Sequence, residues 1–260
     1  MSTHLTTLVE ARELLFTWTL RDFKVRYSQS VLGAAWAILQ PLSLMLVFSV
    51  IFSVFIKVPT DGIPYPVFAY MALLPWTFFS NSLNFAIPSL VNNMNLVSKI
   101  YFPREILPIS AILVGLIDSS IASSIFVLLL LIYRIPVGAA ALLAPVVLLI
   151  QVILTFGVSL LASAINVFYR DVRFIIPLAL QIWMYLSPVI YPVSVIPERL
   201  RPLYFLNPMA AIIDAYRRII LFNQAPDWFH LSSAGVVSTA LAVLAYRYFK
   251  RAEREFADLI

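Results

Sequence analysis

The stretch from Ala34 to Ile56 carries no charged residue, and this run limits the fold more than any other feature. At about 1.5 Å of helical rise per residue it reaches about 34 Å, enough for the ~30 Å hydrocarbon core of a bilayer. A surface helix of a soluble protein would interrupt such a run with charges on its wet face. Composition agrees: 62% of the residues are hydrophobic and 12% charged, where a soluble chain carries about 25% charged. Five further runs follow: Val67 to Val91, Ile106 to Tyr133 with Asp118 as its one acid, Ile135 to Tyr169, Phe174 to about Tyr191, and about Phe229 to Tyr246. The expected fold is an all-α membrane protein with six transmembrane helices.

Alternate loops hold unequal numbers of Lys and Arg. With six spans both termini share one side, and that side collects twelve of the basic residues, among them Arg21, Lys24, Arg26, Lys99, Arg104, Arg170 and Arg173, against six on the other. The positive-inside rule then makes both termini cytoplasmic. The net charge of +5 is accounted for by this topology and implies no nucleic-acid partner. The absence of cysteine excludes disulfides and thiolate metal sites, and His4 and His230 are too far apart in sequence to suggest a metal cluster. The first residues, Met-Ser-Thr-His, lack the basic lead-in of a cleavable signal peptide.

Two segments that do not span carry information. Before the first run, Leu5, Leu8, Val9, Leu15, Phe16, Leu20, Phe23 and Tyr27 share one side of a helical wheel, opposed by Glu10, Glu13, Arg21 and Lys24. Such an amphipathic helix lies in the headgroup plane or docks on other protein. Arg12 and Arg26 intrude on its apolar stripe, as snorkelling cations can. After the fifth run, Pro192, Pro197, Pro202, Pro208 and Pro226 exclude one continuous helix. Within that loop Asn207-Pro208 is a helix start, with Asn as N-cap and Pro at the first helical position. The run to Phe222 is too short to span and reads as a short re-entrant or interfacial outer helix, on which Asp214 can pair with Arg217 or Arg218.

Four ordered stretches resemble the membrane subunit of ABC-type polysaccharide and polyol-phosphate exporters, the family that exports O-antigen, capsule and teichoic acid chains. They are Arg21-Asp22-Phe23-Lys24-Val25-Arg26-Tyr27 with Gly33 to Trp36 and Gln40-Pro41; Leu96 to Pro108; Tyr169-Arg170-Asp171-Val172 leading to Ser187 to Pro192; and Asn207-Pro208 through Tyr216-Arg217. The resemblance covers nearly the whole chain. It implies one transmembrane permease domain over 1–260: a cytoplasmic interface helix in 1–30, spans one to five in 31–192, an outer gate segment in 193–228, span six in 229–249 and a cytoplasmic tail in 250–260. It further implies a homodimer in the bacterial inner membrane that docks two copies of a separate ATPase and moves a lipid-linked polysaccharide. The chain has no G-x-x-x-x-G-K-[ST] loop, so ATP and Mg would be bound by that partner and this chain would hold no cofactor and be no enzyme. On the same resemblance Asn95, Lys99, Tyr101, Pro103, Arg104 and Glu105 form an ATPase-coupling segment, with Tyr169, Arg170 and Asp171 as a second contact. Asn207, Pro208, Asp214 and Arg217 belong to the outer gate.

Sugar C–H faces stack on aromatic rings, and 14% of the residues are aromatic. Trp76, Phe79 and Phe85 on the second run and Trp183 and Tyr185 on the fifth are therefore candidate conduit-lining residues, with Asn81 as a hydrogen-bonding neighbour. The same rings also suit a membrane interface or helix packing. Asp118 is costly inside a span and has either a functional role or a hydrogen-bonded structural one beside Ser119, Ser120, Ser123 and Ser124. A secondary carrier or channel for a smaller solute is the alternative; it fits less well with so few intramembrane charges and no evident inverted repeat. A membrane-embedded enzyme would need converging carboxylates, histidines or a metal site, which the sequence does not offer.

Overall fold

The computed structural model describes residues 11–28, 30–99 and 102–256, with 97–99 described through their backbone alone. Every regular element among them is a helix. The eight longest elements are α1 (Arg12–Tyr27), α2 (Trp36–Phe48), α3 (Tyr65–Ala86), α4 (Ile106–Ile132), α5 (Ala144–Phe168), α6 (Val172–Tyr185), α7 (Pro208–Ile220) and α8 (Trp228–Ala252). Between α1 and α2 the chain turns at Gly33, whose φ of +52° is a left-handed conformation that glycine adopts at little cost. A short 3-10 turn over Gly33–Ala35 leads into α2, and a π-helical stretch over Ser49–Phe55 continues it.

Four helical stretches are long and apolar enough to cross a membrane: Gly33–Phe55, Ile106–Ile132, Ala139–Phe168 and Trp228–Ala252. Their limits lie within a few residues of those read from the sequence at every end but one, where α8 runs on past Tyr246 to Ala252. The other two expected spans, α3 and α6, fall short for different reasons. At 22 residues α3 is long enough, but Ser80, Asn81, Ser82 and Asn84 make it less apolar. It runs through the interior, where Val67 to Phe79 are all buried, and so needs little lipid-soluble surface. The 14 residues of α6 reach about 21 Å, less than a hydrocarbon core.

Six of the helices nevertheless alternate in direction between two ends of the molecule. At one end Leu90, which follows α3, Leu107 on α4, Leu160 and Val167 on α5, and Phe249 and Ala252 on α8 share a buried cluster with Phe256. At the other end Phe52, in the continuation of α2, stacks on Tyr65 at the start of α3, with ring centroids 6.2 Å apart. There too the Tyr65 hydroxyl donates to the Ile190 carbonyl just after α6 (2.8 Å), and the Ala140 N–H, before α5, donates to Asn223, after α7 (3.2 Å).

The interior is tied through α3. The Tyr70 hydroxyl donates to the Ala122 carbonyl of α4 (3.0 Å), and buried Gln151 of α5 donates to the Pro75 carbonyl (2.7 Å). Small residues bring backbones together, as expected where lipid supplies no hydrophobic drive to associate. A Cβ on Gly115 of α4 would stand 2.3 Å from the Ser82 Oγ of α3, and one on Gly157 of α5 would stand 2.9 Å from the Ala242 nitrogen of α8. The 13 residues of α7 are wedged among α3, α5 and α8. Nine of them are buried, including Arg217.

Candidate functional site

Residues expected to matter gather at both ends of the molecule and at one point between them. At the end marked by Phe256, the chain leaving α3 forms two short helices, Ser89–Asn92 and Met94–Lys99, before α4 begins. Asn95 is exposed there. Pro103 leads into α4, whose first carbonyl acceptor is its own: the Ile106 N–H donates to it at 3.1 Å. Glu105 is fully buried, and Lys250 of α8 donates to its Oε2 at 2.8 Å. Lys250 also bonds Glu253 (2.9 Å), and Arg104 donates through its guanidinium to the Glu253 carbonyl. Phe102 stacks on Trp18 of α1, with ring centroids 6.3 Å apart. The second half of the expected coupling segment is thus tied to α8 and packed on α1. Tyr169, Arg170 and Asp171, at the α5–α6 turn, are all exposed at this same end. Tyr101 lies outside the described residues, as does the side chain of Lys99.

Between the ends, Asp118 is held by α1. Arg26 donates to its Oδ2 at 2.5 Å and the Tyr27 hydroxyl to its Oδ1 at 2.7 Å. Burial, then the hydrogen bond to Asp118, pushes the Tyr27 pKa up. One turn earlier in α1, Asp22 accepts from Ser110 of α4 (2.7 Å). Asp22, Arg26 and Tyr27 of the Arg21 to Tyr27 motif thus dock α1 on α4. The apolar residues of α1 are not confined to one side, since Phe16, Leu20 and Val25 are exposed away from it; Leu5, Leu8, Val9 and Glu10 lie outside the described residues. Of the serines beside Asp118, Ser120, Ser123 and Ser124 donate to carbonyls of their own helix and leave the acid to Arg26 and Tyr27. The sequence carried a signal for this pairing: a lone acid in a span and a cation intruding on an apolar stripe are each costly alone and complementary together.

The candidate conduit residues separate by burial. Trp76 and Phe79 lie in the core of this chain, 5.9 Å apart by ring centroid. Trp183 meets Phe79 edge-on at 5.1 Å, with its indole N–H donating to Asn207 (2.8 Å). Asn81 donates to Gln40 (3.2 Å). Together with Asn84, Phe85, Trp36 and the Arg26–Asp118 pair these two amides line a cleft of about 360 Å³. Phe85 is half-exposed with the Arg26 guanidinium 3.7 Å above its ring, and Tyr185 is exposed on α6.

At the far end, residues of α7 hold an irregular segment. Asn207 caps α7 by accepting from the Met209 N–H (3.0 Å), ahead of Pro208 at the first helical position. The same side chain donates to the Leu186 carbonyl (3.2 Å) and the Ser187 hydroxyl (2.9 Å). Arg217, 3% exposed, donates to the carbonyls of Val189 (2.9 Å) and Tyr191 (3.2 Å) and lies 3.6 Å over the Phe68 ring. With Tyr65 on Ile190, three successive carbonyls of the Ser187 to Pro192 stretch are satisfied by side chains, as buried non-helical backbone requires. Asp214 pairs with Arg218 (2.8 Å), which frees Arg217 for this task. Burial raises the Asp214 pKa, opposed first by Arg218. Sequence reading found Asn207, Pro208, Asp214 and Arg217, but not Tyr65, Lys250 or Glu253, whose partners are remote in the chain.

Apolar helices of membrane-crossing length, packed through small residues around a polar-studded central helix, define an integral membrane protein. The chain belongs to the ABC-2 type transporter family, which its residues 13–221 match. It is 33% identical over 256 residues to the O-antigen export system permease protein RfbA of Myxococcus xanthus, covering 97% of both chains. It is 27% identical over 249 residues to a Klebsiella pneumoniae protein of the same name, covering 95% of each. To the polysialic acid transport protein KpsM of Escherichia coli it is 24% identical over 240 residues, covering 88% of this chain and 90% of that one.

Proposed function

We propose that this chain is the permease subunit of an ATP-driven exporter that moves a lipid-linked polysaccharide, of O-antigen, capsular or teichoic acid type, across the bacterial inner membrane. Two copies form the conduit, and two copies of a separate ATPase, which binds ATP and Mg, drive it. The observation that carries this reading is the likeness to an O-antigen export permease over 97% of both chains. Six passes with both termini cytoplasmic are supported by the alternating helix directions and the excess of basic residues at the Phe256 end. On this topology α7 is a re-entrant helix at the outer face, and the segment it holds, with Asn207, Pro208, Asp214 and Arg217, is the outer gate.

The ATPase then meets the exposed Asn95 turn, with Lys99 and Tyr101 beyond it, and the exposed Tyr169-Arg170-Asp171 turn. Pro103, Arg104 and Glu105 pass the motion on, since Arg104 and Glu105 are fastened to the end of α8 and the adjoining Phe102 stacks on Trp18 of α1. Between the copies Asn81, Phe85 and Tyr185 offer amide and ring contacts to sugar. Trp76, Phe79 and Trp183 shape the wall from behind.

Purification from the native host in mild detergent tests this reading. An ATPase subunit with a Walker A loop should co-purify, and polymer export into inverted vesicles should stop on ATP depletion. Recovery of the chain without any ATPase, together with full transport in ATP-depleted vesicles, would falsify it.

A further inference from the structure

Beside the far-end segment opens a cleft of about 420 Å³, inside the roughly 300–1,000 Å³ range of small-molecule sites. Its charged lining is Arg201, Arg217 and Arg218 against Asp61 and Asp214, with Gln224 among its polar neighbours. The balance is three guanidinium groups to two carboxylates, a net charge of +1. The protein does not spend all of these donors. A guanidinium has five N–H groups; Arg218 gives one hydrogen bond to Asp214, and Arg201 gives one to the Ile196 carbonyl (3.1 Å) with Glu198 3.7 Å away. Arg217 is 3% exposed, and its Nε is buried with no partner among the described residues. A buried charged donor left without an acceptor bears its desolvation cost uncompensated, so an unspent one in a side chain that lines a cleft marks a place for an acceptor.

We propose that this cleft binds a phosphate or pyrophosphate group through Arg201, Arg217 and Arg218. A neutral sugar would leave the excess charge unanswered, whereas forked guanidinium groups match phosphate oxygens two at a time. The ligand would also bear on the segment described above, because Arg217, which lines the cleft, holds the Val189 and Tyr191 carbonyls through its two Nη atoms. Occupancy and the shape of the Ser187 to Pro192 stretch are therefore linked through one side chain. Binding itself does not depend on the transport reading. That reading bears only on the source of the phosphate, which is either a lipid-carrier headgroup or a phosphate free of lipid.

The test is calorimetric titration of the purified full chain in nanodiscs with inorganic pyrophosphate and inorganic phosphate. Pyrophosphate should bind with a Kd below about 1 mM. Arg201→Gln and Arg218→Gln should each weaken it about tenfold or more, the loss expected for a charge-assisted hydrogen bond. Asp214→Asn should tighten binding, which a merely structural role for these arginines does not predict, while Arg199→Gln, on an exposed arginine outside the cleft lining, should change nothing. No saturable binding by about 10 mM, or equal affinity in the two arginine variants, overturns the site. Farnesyl pyrophosphate provides the second arm. Tighter binding than inorganic pyrophosphate supports a lipid headgroup and equal binding supports a lipid-free phosphate, each on the same site. Pyrophosphate binding with no ATPase co-purified and full transport in ATP-depleted vesicles would sustain the cleft and sink the exporter; co-purification without pyrophosphate binding would do the reverse.

Discussion

Replacing Asp118 with Ala should release α1 from α4 while leaving the span itself folded. The Arg26 and Asp118 side chains are each 11% exposed, and the pair meets at 2.5 Å with Tyr27 as a second donor. Removing one member of a buried pair strands the other, at about 3–5 kcal/mol. Here the cleft of about 360 Å³ lined by both residues gives the orphaned guanidinium access to water, and its stacking on Phe85 survives. The pair term therefore falls near the lower bound, about 3 kcal/mol, and the lost Tyr27 hydrogen bond adds about 1 kcal/mol. The α1 amides over Arg12–Tyr27 should then exchange with deuterium about 10²- to 10³-fold faster. Exchange in α4 should change little, because α4 is also packed on α3 through Gly115 and Tyr70. An Arg26→Met/Asp118→Leu double variant removes both charges and should recover most of the protection. Unchanged α1 exchange in Asp118→Ala, or a double variant exchanging as fast as the single one, would show that the pair does not hold α1.

The same logic applies at two other joints. Lys250→Met strands the fully buried Glu105 carboxylate and should cost about 3 kcal/mol of stability. Thermal unfolding in detergent should show most of it restored by adding Glu105→Gln, and equal melting of single and double variants would contradict the coupling. Asn207→Ala removes the α7 cap and the acceptor of Trp183 together with two donor bonds. A loss of about 2–4 kcal/mol follows from those terms. Asn207→Asp, which keeps the cap and the indole bond, should fall between Ala and the native residue; a melt in which Asp is no better than Ala would count against the acceptor role.

What the sequence disclosed, and what it hid, divides by range along the chain. Long uncharged runs located the helices because a bilayer constrains every residue of a crossing segment locally. Asn207-Pro208 marked the start of α7 because capping is settled within three residues. The partner of Asp118 lies 92 residues away, and a single sequence carries no record of that pairing beyond two separate anomalies. The local alternatives drew attention first: serines next to Asp118, and Asp214 spaced for either Arg217 or Arg218. In the fold the serines turn back on their own helix, and Arg218 takes Asp214. The lower hydropathy of α3 has a related origin. The buried half of α3, Val67 to Phe79, is chosen for what it packs against, and the serines and asparagines of the helix lie beyond it, with Ser82 buried and Asn81 and Asn84 lining the cleft beside Gln40.

These long-range joints also decide how the two ends of the molecule can communicate. The Pro103 to Glu105 segment is fastened to the last turns of α8, and α8 lies against α5 with Gly157 so close to Ala242 that a single added Cβ would collide. Interfaces built on such close backbone approach shift as bodies, since they have no soft side chains to absorb a displacement. Both α5 and α8 also pack on α7, whose Asn207 and Arg217 hold the carbonyls of the Ser187 to Pro192 stretch. A displacement applied at Glu105 thus has a continuous path of close packing and buried hydrogen bonds to the far-end segment. By contrast α1 is joined to the bundle through side chains at Trp18, Asp22, Arg26 and Tyr27, contacts that can part and re-form. On the transport reading α5, α7 and α8 are then the rigid lever, and α1 with its buried ion pair is the joint that gives.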